Sequence, residues 1–245
     1  MANAYSSLYQ CLAAAAPDGK TVDSCRMQKY WSIARVGDTL GLAMATEGRS
    51  IPAQHPSGLA GLSVPQAASA VTSWNFPEAS QALAVVNASL NTVQRLEALN
   101  CYLPYEIHYT DGLDFRGKTV GMIGHMHGPE TMRLEARQVY VLERAPREGD
   151  YPDPACEELL PRCDIVLITG SALINKTLPR LLELSQNAYT ILTGPSVPLL
   201  PELLEFGIDR MAGMVVTDPE GMRQHVLEDR AGSPYPYGRP FLLKR

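Results

Sequence analysis

Apolar and polar positions follow different periods in the two halves of the chain. Between residues 118 and 216, short apolar runs rich in β-branched residues alternate with stretches of helical spacing. The runs predict strands at Lys118–Ile123, Gln138–Leu142, Asp164–Ile168, Tyr189–Leu192 and Met211–Val216, with helices near Pro129–Arg137, Pro154–Leu160, Asn175–Gln186, Pro198–Phe206 and Pro219–Glu228. Strands that are apolar on both faces need cover on both faces. Residues 117–245 are therefore expected to form a Rossmann-like α/β domain around a parallel sheet of about five strands.

The first hundred residues do not alternate in this way. A helix over Ala2–Ala16 is closed by Pro17-Asp18-Gly19. An antiparallel meander follows at Thr21–Met27, Tyr30–Val36 and Thr39–Thr46, with Gly37-Asp38 as a hairpin turn. Gly48–Gly61, rich in Gly, Pro and Ser, reads as a long loop carrying His55. Two helices come next: Val64–Ser73, then one opened by Asn75 as N-cap with Pro77 and Glu78 in its first turn. Along the second, Leu83, Val86, Leu90 and Val93 form one apolar stripe that must pack on something. This half is expected to be an α+β domain over residues 1–100, joined by a linker over 101–116.

An apolar fraction of 45% in 245 residues suffices for a proper core. The net charge of −5 is spread without a basic stripe, so nucleic acid is not an expected partner. The chain shows neither a membrane-length apolar run nor the basic-then-apolar order of a signal peptide, so no membrane partner is expected and the cytoplasm is the expected compartment. The five cysteines, Cys11, Cys25, Cys101, Cys156 and Cys163, include no C-x-x-C pair. They suggest buried free thiols rather than a disulfide framework or zinc knuckle.

Candidate chemistry gathers at the predicted strand ends. They carry Gly124-His125, Glu143-Arg144, Thr169-Gly170-Ser171, Gly194-Pro195-Ser196 and Thr217-Asp218, and in a parallel sheet all such ends face one edge. Glu143 lies roughly 20 residues after the glycine turn, where dinucleotide-binding folds place a ribose-holding acid. That turn has only Gly121 and Gly124, however, so classical NAD or FAD binding is not expected. Within Gly149–Pro154, Asp153 suits an N-cap and leaves Asp150 and Tyr151 for a cleft. Asn175 either caps the next helix or reaches a ligand. Asn87 and Asn91, one turn apart beside an apolar stripe, either bind backbone at the domain junction or contact a ligand.

As a set, Val120–His125, Gly149–Pro154, Asp164–Thr177 and Gly194-Pro195-Ser196 with Pro198-Leu199 resemble the putative heavy-metal chelation domain family. Gly37–Ala45 and Val86–Asn91 are similar to its usual partner, a small domain like the N-terminal domain of enolase. The resemblance covers nearly the whole chain to about Asp218. It implies an enolase-N-like domain followed by a Rossmann-like one, with the site in the cleft between them. Asn87 and Asn91 would then approach Gly124, His125, Glu143, Asp150, Thr169, Gly170, Ser171 and Asn175 from across the cleft. Enolase activity is not implied, because the chain has no barrel domain to hold that metal site.

Three function classes follow. In the first, the cleft binds a divalent transition metal or a metal chelate. His125, Glu143 and Asp150 are then the metal ligands, His127 is a further nitrogen donor, and Tyr151, Thr169, Ser171, Asn175, Gly194 and Ser196 are hydrogen-bonding ligand contacts. In the second, an enzyme acts on a nucleotide-like or small anionic substrate with His125 as general acid or base. In the third, the chain is a non-catalytic assembly protein. Its Pro- and Tyr-rich stretch Gly232–Phe241 would wrap a neighbouring subunit of a homo-oligomer or pack back on its own domain.

Overall fold

The computed structural model describes residues 4–46, 51–101, 109–126 and 130–245. A three-stranded antiparallel sheet forms from β1 (Ser24–Met27), β2 (Trp31–Val36) and β3 (Thr39–Met44), with Gly37 at φ +60 in the β2–β3 turn. Helix α1 (Ala4–Ala14) precedes it, and α2 (Val64–Ser69), α3 (Phe76–Leu90) and α4 (Val93–Ala98) follow. Asn75 caps α3 by accepting from the Glu78 amide at 3.2 Å. Helix α3 is buried on almost every side, and it reaches β3 closely because residue 41 is glycine. A Cβ there would run into the Ala84 carbonyl and the Ala88 amide.

The second half is α/β, built on seven strands: β4 (Thr119–Ile123), β5 (Gln138–Glu143), β6 (Tyr151–Pro152), β7 (Ile165–Thr169), β8 (Tyr189–Thr193), β9 (Arg210–Val216) and β10 (Gly238–Lys244). The order is β10-β9-β8-β7-β4-β5-β6, and every pairing is parallel except β9 with β10. Read along the chain, the parallel strands have the 3-2-1-4-5-6 order of doubly wound folds, which reverses direction between β4 and β7. Helices α5 (Glu130–Glu135), α6 (Cys156–Leu159), α7 (Leu178–Leu184) and α8 (Pro219–Leu227) complete this half.

Several elements differ from expectation. The sheet has seven strands rather than about five. The two additions are the two-residue β6 and the antiparallel β10, which takes up the end of the Pro- and Tyr-rich stretch. An edge strand tolerates Pro240, since a proline there removes no ladder bond inside the sheet. That stretch thus packs back on its own sheet. The helix expected at Pro198–Phe206 is a 3-10 turn, Pro201–Phe206, closed by Gly207 at φ +95. Pro152, not Asp153, stands at the N-cap of the turn that begins at residue 153. Part of the expected 48–61 loop, part of the 101–116 linker, and His127 lie outside the described residues.

One apolar core runs through both halves, from Leu8, Val36 and Leu83 to Val166, Ile168 and Leu192. A smaller cluster packs Trp31, Ile33 and Leu42 of the first sheet on Met222 and Val226 of α8. Among the described residues no helix is long and apolar enough to cross a membrane.

Candidate functional site

The direction reversal of the sheet leaves a crevice at the carboxyl ends of β4 and β7, the place where open α/β sheets bind ligands. β4 is buried throughout and breaks at Gly124, whose φ of +92 turns the chain sharply. The turn is also tight: a Cβ on Gly124 would stand 3.1 Å from the Thr169 side chain at the end of β7. Only glycine meets both demands comfortably. The turn delivers His125 to the sheet edge.

Glu143, the last residue of β5, receives it. Its Oε1 accepts from the His125 amide at 2.8 Å and lies 2.9 Å from His125 Nδ1. On the other side of the ring, Nε2 stands 3.0 Å from Asp150 Oδ2. Gly149, at φ +92, places Asp150 there, and the Arg147 amide donates to Asp150 Oδ2 at 2.7 Å. The imidazole is thus held between two carboxylates. Both contacts are hydrogen bonds at once only when both ring nitrogens carry protons.

Beside this trio lies a cavity of about 230 Å³. Gly124, His125 and Glu143 form one wall; Thr169, Ser171, Asn175 and Thr177 form another; Met44 of β3 contributes from the first half. Arg144, Arg147 and Asp153 complete its charged rim. Thr169 Oγ1 accepts from the Ser171 hydroxyl at 3.3 Å, and Asn175 Oδ1 accepts from the Thr177 hydroxyl at 2.7 Å. Among the described residues the side chains of Arg144, Arg147 and Asp153 make no hydrogen bond or ion pair, although all three line the cavity. Arg144 follows β5 directly and Asp153 opens the 3-10 turn after β6, positions the sequence marked as a strand end and a cap rather than as ligand contacts, while Arg147 lies in an irregular segment with no motif to mark it.

Other expected ligand residues stand elsewhere. Asn87 and Asn91 reach across from α3 but bind main chain instead of the cavity. Asn87 Nδ2 donates to the Leu42 and Ser196 carbonyls at 2.8 and 3.1 Å. Asn91 Nδ2 donates to the Val197 carbonyl at 2.8 Å, while its Oδ1 accepts from the Leu199 amide at 2.9 Å. Both are at most 4% exposed, so ligand contact gives way to the junction role. Ser196 is also spent on the junction, its hydroxyl accepting from the Met44 amide at 2.8 Å. Gly170 is buried where a Cβ would press on Val197, and Gly194 at φ +122 forms a turn; neither lines the cavity. Tyr151 is exposed and meets the Tyr140 ring edge-on, outside the lining.

Two family profiles match, over residues 9–90 and 112–238, and both are described as "putative heavy-metal chelation". The chain belongs to this family. A crystal structure of a family member of unknown function from Desulfitobacterium hafniense superimposes with a TM-score of 0.86 at 32% identity, covering 98% of each chain. A second, from Pyrococcus horikoshii and also of unknown function, shares the fold at 21% identity, with a TM-score of 0.79 over 99% of this chain and 100% of that one. An uncharacterized protein of Methanocaldococcus jannaschii is 36% identical over 108 residues, and the match spans 42% of that protein's length.

The family description raises the question of whether these residues suit a bare metal ion. Among the described residues, no group of three or more His, Cys, Asp or Glu side chains is arranged to hold one. The nitrogen and oxygen donors of the trio are turned on each other. The thiols are scattered, and burial pushes Cys25 and Cys156 up to about 12 and Cys163 up to about 11, which keeps them protonated near neutral pH. The described donor set does not fit a dedicated heavy-metal centre.

Proposed function

We propose that the chain binds a small metal chelate, a metal ion already wrapped in an organic anion, in the cavity at the carboxyl ends of β4 and β7. Residues 1–100 and 117–245 would act as the two walls of this interdomain cleft. The observation that carries the reading is the presence, around one small cavity, of charged groups of both signs that make no side-chain hydrogen bond or ion pair among the described residues. Arg144 and Arg147 suit the carboxylates of a chelator, and Asp153 suits a positive metal centre. The volume of about 230 Å³ lies below the roughly 300–1,000 Å³ of drug-sized pockets, so the ligand is of metabolite size. His125 and Glu143 would form part of the cavity wall, with Asp150 holding the imidazole from the far side. General acid–base catalysis by His125 has less support, since both ring nitrogens already face carboxylates.

Native mass spectrometry with citrate, nickel ion and the nickel–citrate complex tests the proposal. The complex should be retained at least about tenfold more tightly than either component alone, a difference of about 1.4 kcal/mol. The Arg144→Ala/Arg147→Ala variant should lose it without loss of thermal stability, because both residues are exposed and, among the described residues, neither side chain is paired. Equal retention of bare nickel, or an undiminished complex in the variant, would overturn the reading.

A further inference from the structure

A second cavity lined by charged groups shares no residue with this cleft. One face of the small sheet packs on α3. On the other, strand pairing sets Ser24 opposite Arg35 and Arg26 opposite Ile33, while Arg35 also faces Leu40 of β3. Helix α8 covers only the β2–β3 side of that face, through Met222 and Val226. The β1 side stays open, leaving a groove of about 690 Å³, within the range of small-molecule sites.

Its chemistry is two-sided. The floor is apolar: Ile33 and Leu40 are buried, and Leu227 of α8 joins them from the other wall. The rim carries Arg26, Arg35 and Arg223 against Asp218 and Glu220. Both carboxylates are engaged within α8. Asp218 caps the helix by accepting from the Gly221 amide at 2.9 Å, and Glu220 pairs with Arg223 at 2.7 Å. Arg35 uses its Nε on the Gly37 carbonyl at 2.9 Å, and among the described residues its other two nitrogens make no hydrogen bond. Among the described residues the Arg26 guanidinium has no hydrogen bond or ion pair. Arg26 and Arg35 are diagonal neighbours on one sheet face, a spacing of about 7–8 Å between positions that suits joint capture of one anion. Glu220 faces Arg35 across the groove and offsets part of this charge, but it is already paired with Arg223, so an anion between Arg26 and Arg35 would still be favoured.

We propose that this groove is a second ligand site, for a small organic anion with an apolar body and one carboxylate or phosphate head. The head is taken by the guanidinium forks of Arg26 and Arg35, which match the planar geometry of such groups. The body lies on Ile33, Leu40 and Leu227. The proposal is independent of the metal-chelate reading, since no residue of the groove lines the other cavity.

Calorimetric titration of the full chain with phenyl phosphate, inorganic phosphate and benzyl alcohol provides the test. Phenyl phosphate should bind saturably with a Kd below about 1 mM, and each of the other two at least about tenfold more weakly. The Arg26→Ala/Arg35→Ala variant should weaken phenyl phosphate binding by about tenfold or more. Methyl NMR on the unaltered protein locates the site without relying on any variant: Ile33, Leu40 and Leu227 should shift, and Ile123 and Leu142 should not. Absence of saturation to about 10 mM, equal binding by the double variant, or shifts confined to Ile123 and Leu142 would each overturn the proposal.

Discussion

At the scale of single residues, Lys176 combines features that rarely coincide. Its φ is +68, a strained value for a residue with a side chain, and it is only 7% exposed. The amine crosses from the second half into the first, donating to the Val71 carbonyl and lying 4.3 Å from the centre of the Tyr9 ring, whose hydroxyl donates back to the Leu173 carbonyl at 2.7 Å. Burial lowers its pKa to about 7 from an ordinary 10.5, because the charged form loses its water. The folded state therefore holds fewer protons than the unfolded state between these two values. Stability rises with pH across that window, and below about 7 the burial penalty is present in full. Lys176→Met should flatten this rise between pH 7 and 10 and raise the thermal midpoint at pH 6 by a few degrees, at roughly 2–4 °C per kcal/mol. Thermal scans across pH check this, and an unchanged slope would show that the amine is not its source. Nothing in the sequence marked Lys176, because its burial is created by a carbonyl about a hundred positions away. His125, Glu143 and Asp150 were legible for the opposite reason. Each follows a strand end or a glycine turn, and the sheet alone brings such positions together.

Among the elements, the contact of α3 with β3 leaves the least room. Gly41→Val would drive a branched side chain into the backbone of α3, and overpacking of this kind costs about 1–3 kcal/mol or more. The expected result is a fall of roughly 2–12 °C in the thermal midpoint by circular dichroism, at 2–4 °C per kcal/mol. A shift within about 1 °C would mean that the helix moves aside freely. The stripe of Leu83, Val86 and Leu90 announced that α3 packs on something, and the strands of the parallel core announced themselves as apolar runs. Two kinds of element could not be read. β10 carries Pro240 and follows a Pro-Tyr-Pro-Tyr stretch, and only its place on the edge of the sheet makes it a strand. The 3-10 turns at Gly170–Leu173 and Pro201–Phe206 are too short to settle into α geometry, and the second also opens on a proline.

For the whole molecule, the strand order was beyond reach of the sequence, since no local pattern says that β4 stands between β5 and β7. The order nevertheless decides the site, because it opens the crevice where the His125 turn meets Thr169. The two halves are then locked by polar ties from α3. Asn91→Ala would strip the Leu199 amide and the Val197 carbonyl of their partner in a buried place, at about 1–3 kcal/mol for each group left unsatisfied. The expected outcome in scanning calorimetry is a lower midpoint and a split of one transition into two; a single transition at the original midpoint would refute the tie. These bonds also have a consequence in time. Asn91 waits for Val197, Leu199 and Met214, at separations of 106 to 123 residues. During synthesis the first half must therefore idle with its central helix half-dressed, and it reaches its final form only after the ribosome has added more than a hundred further residues.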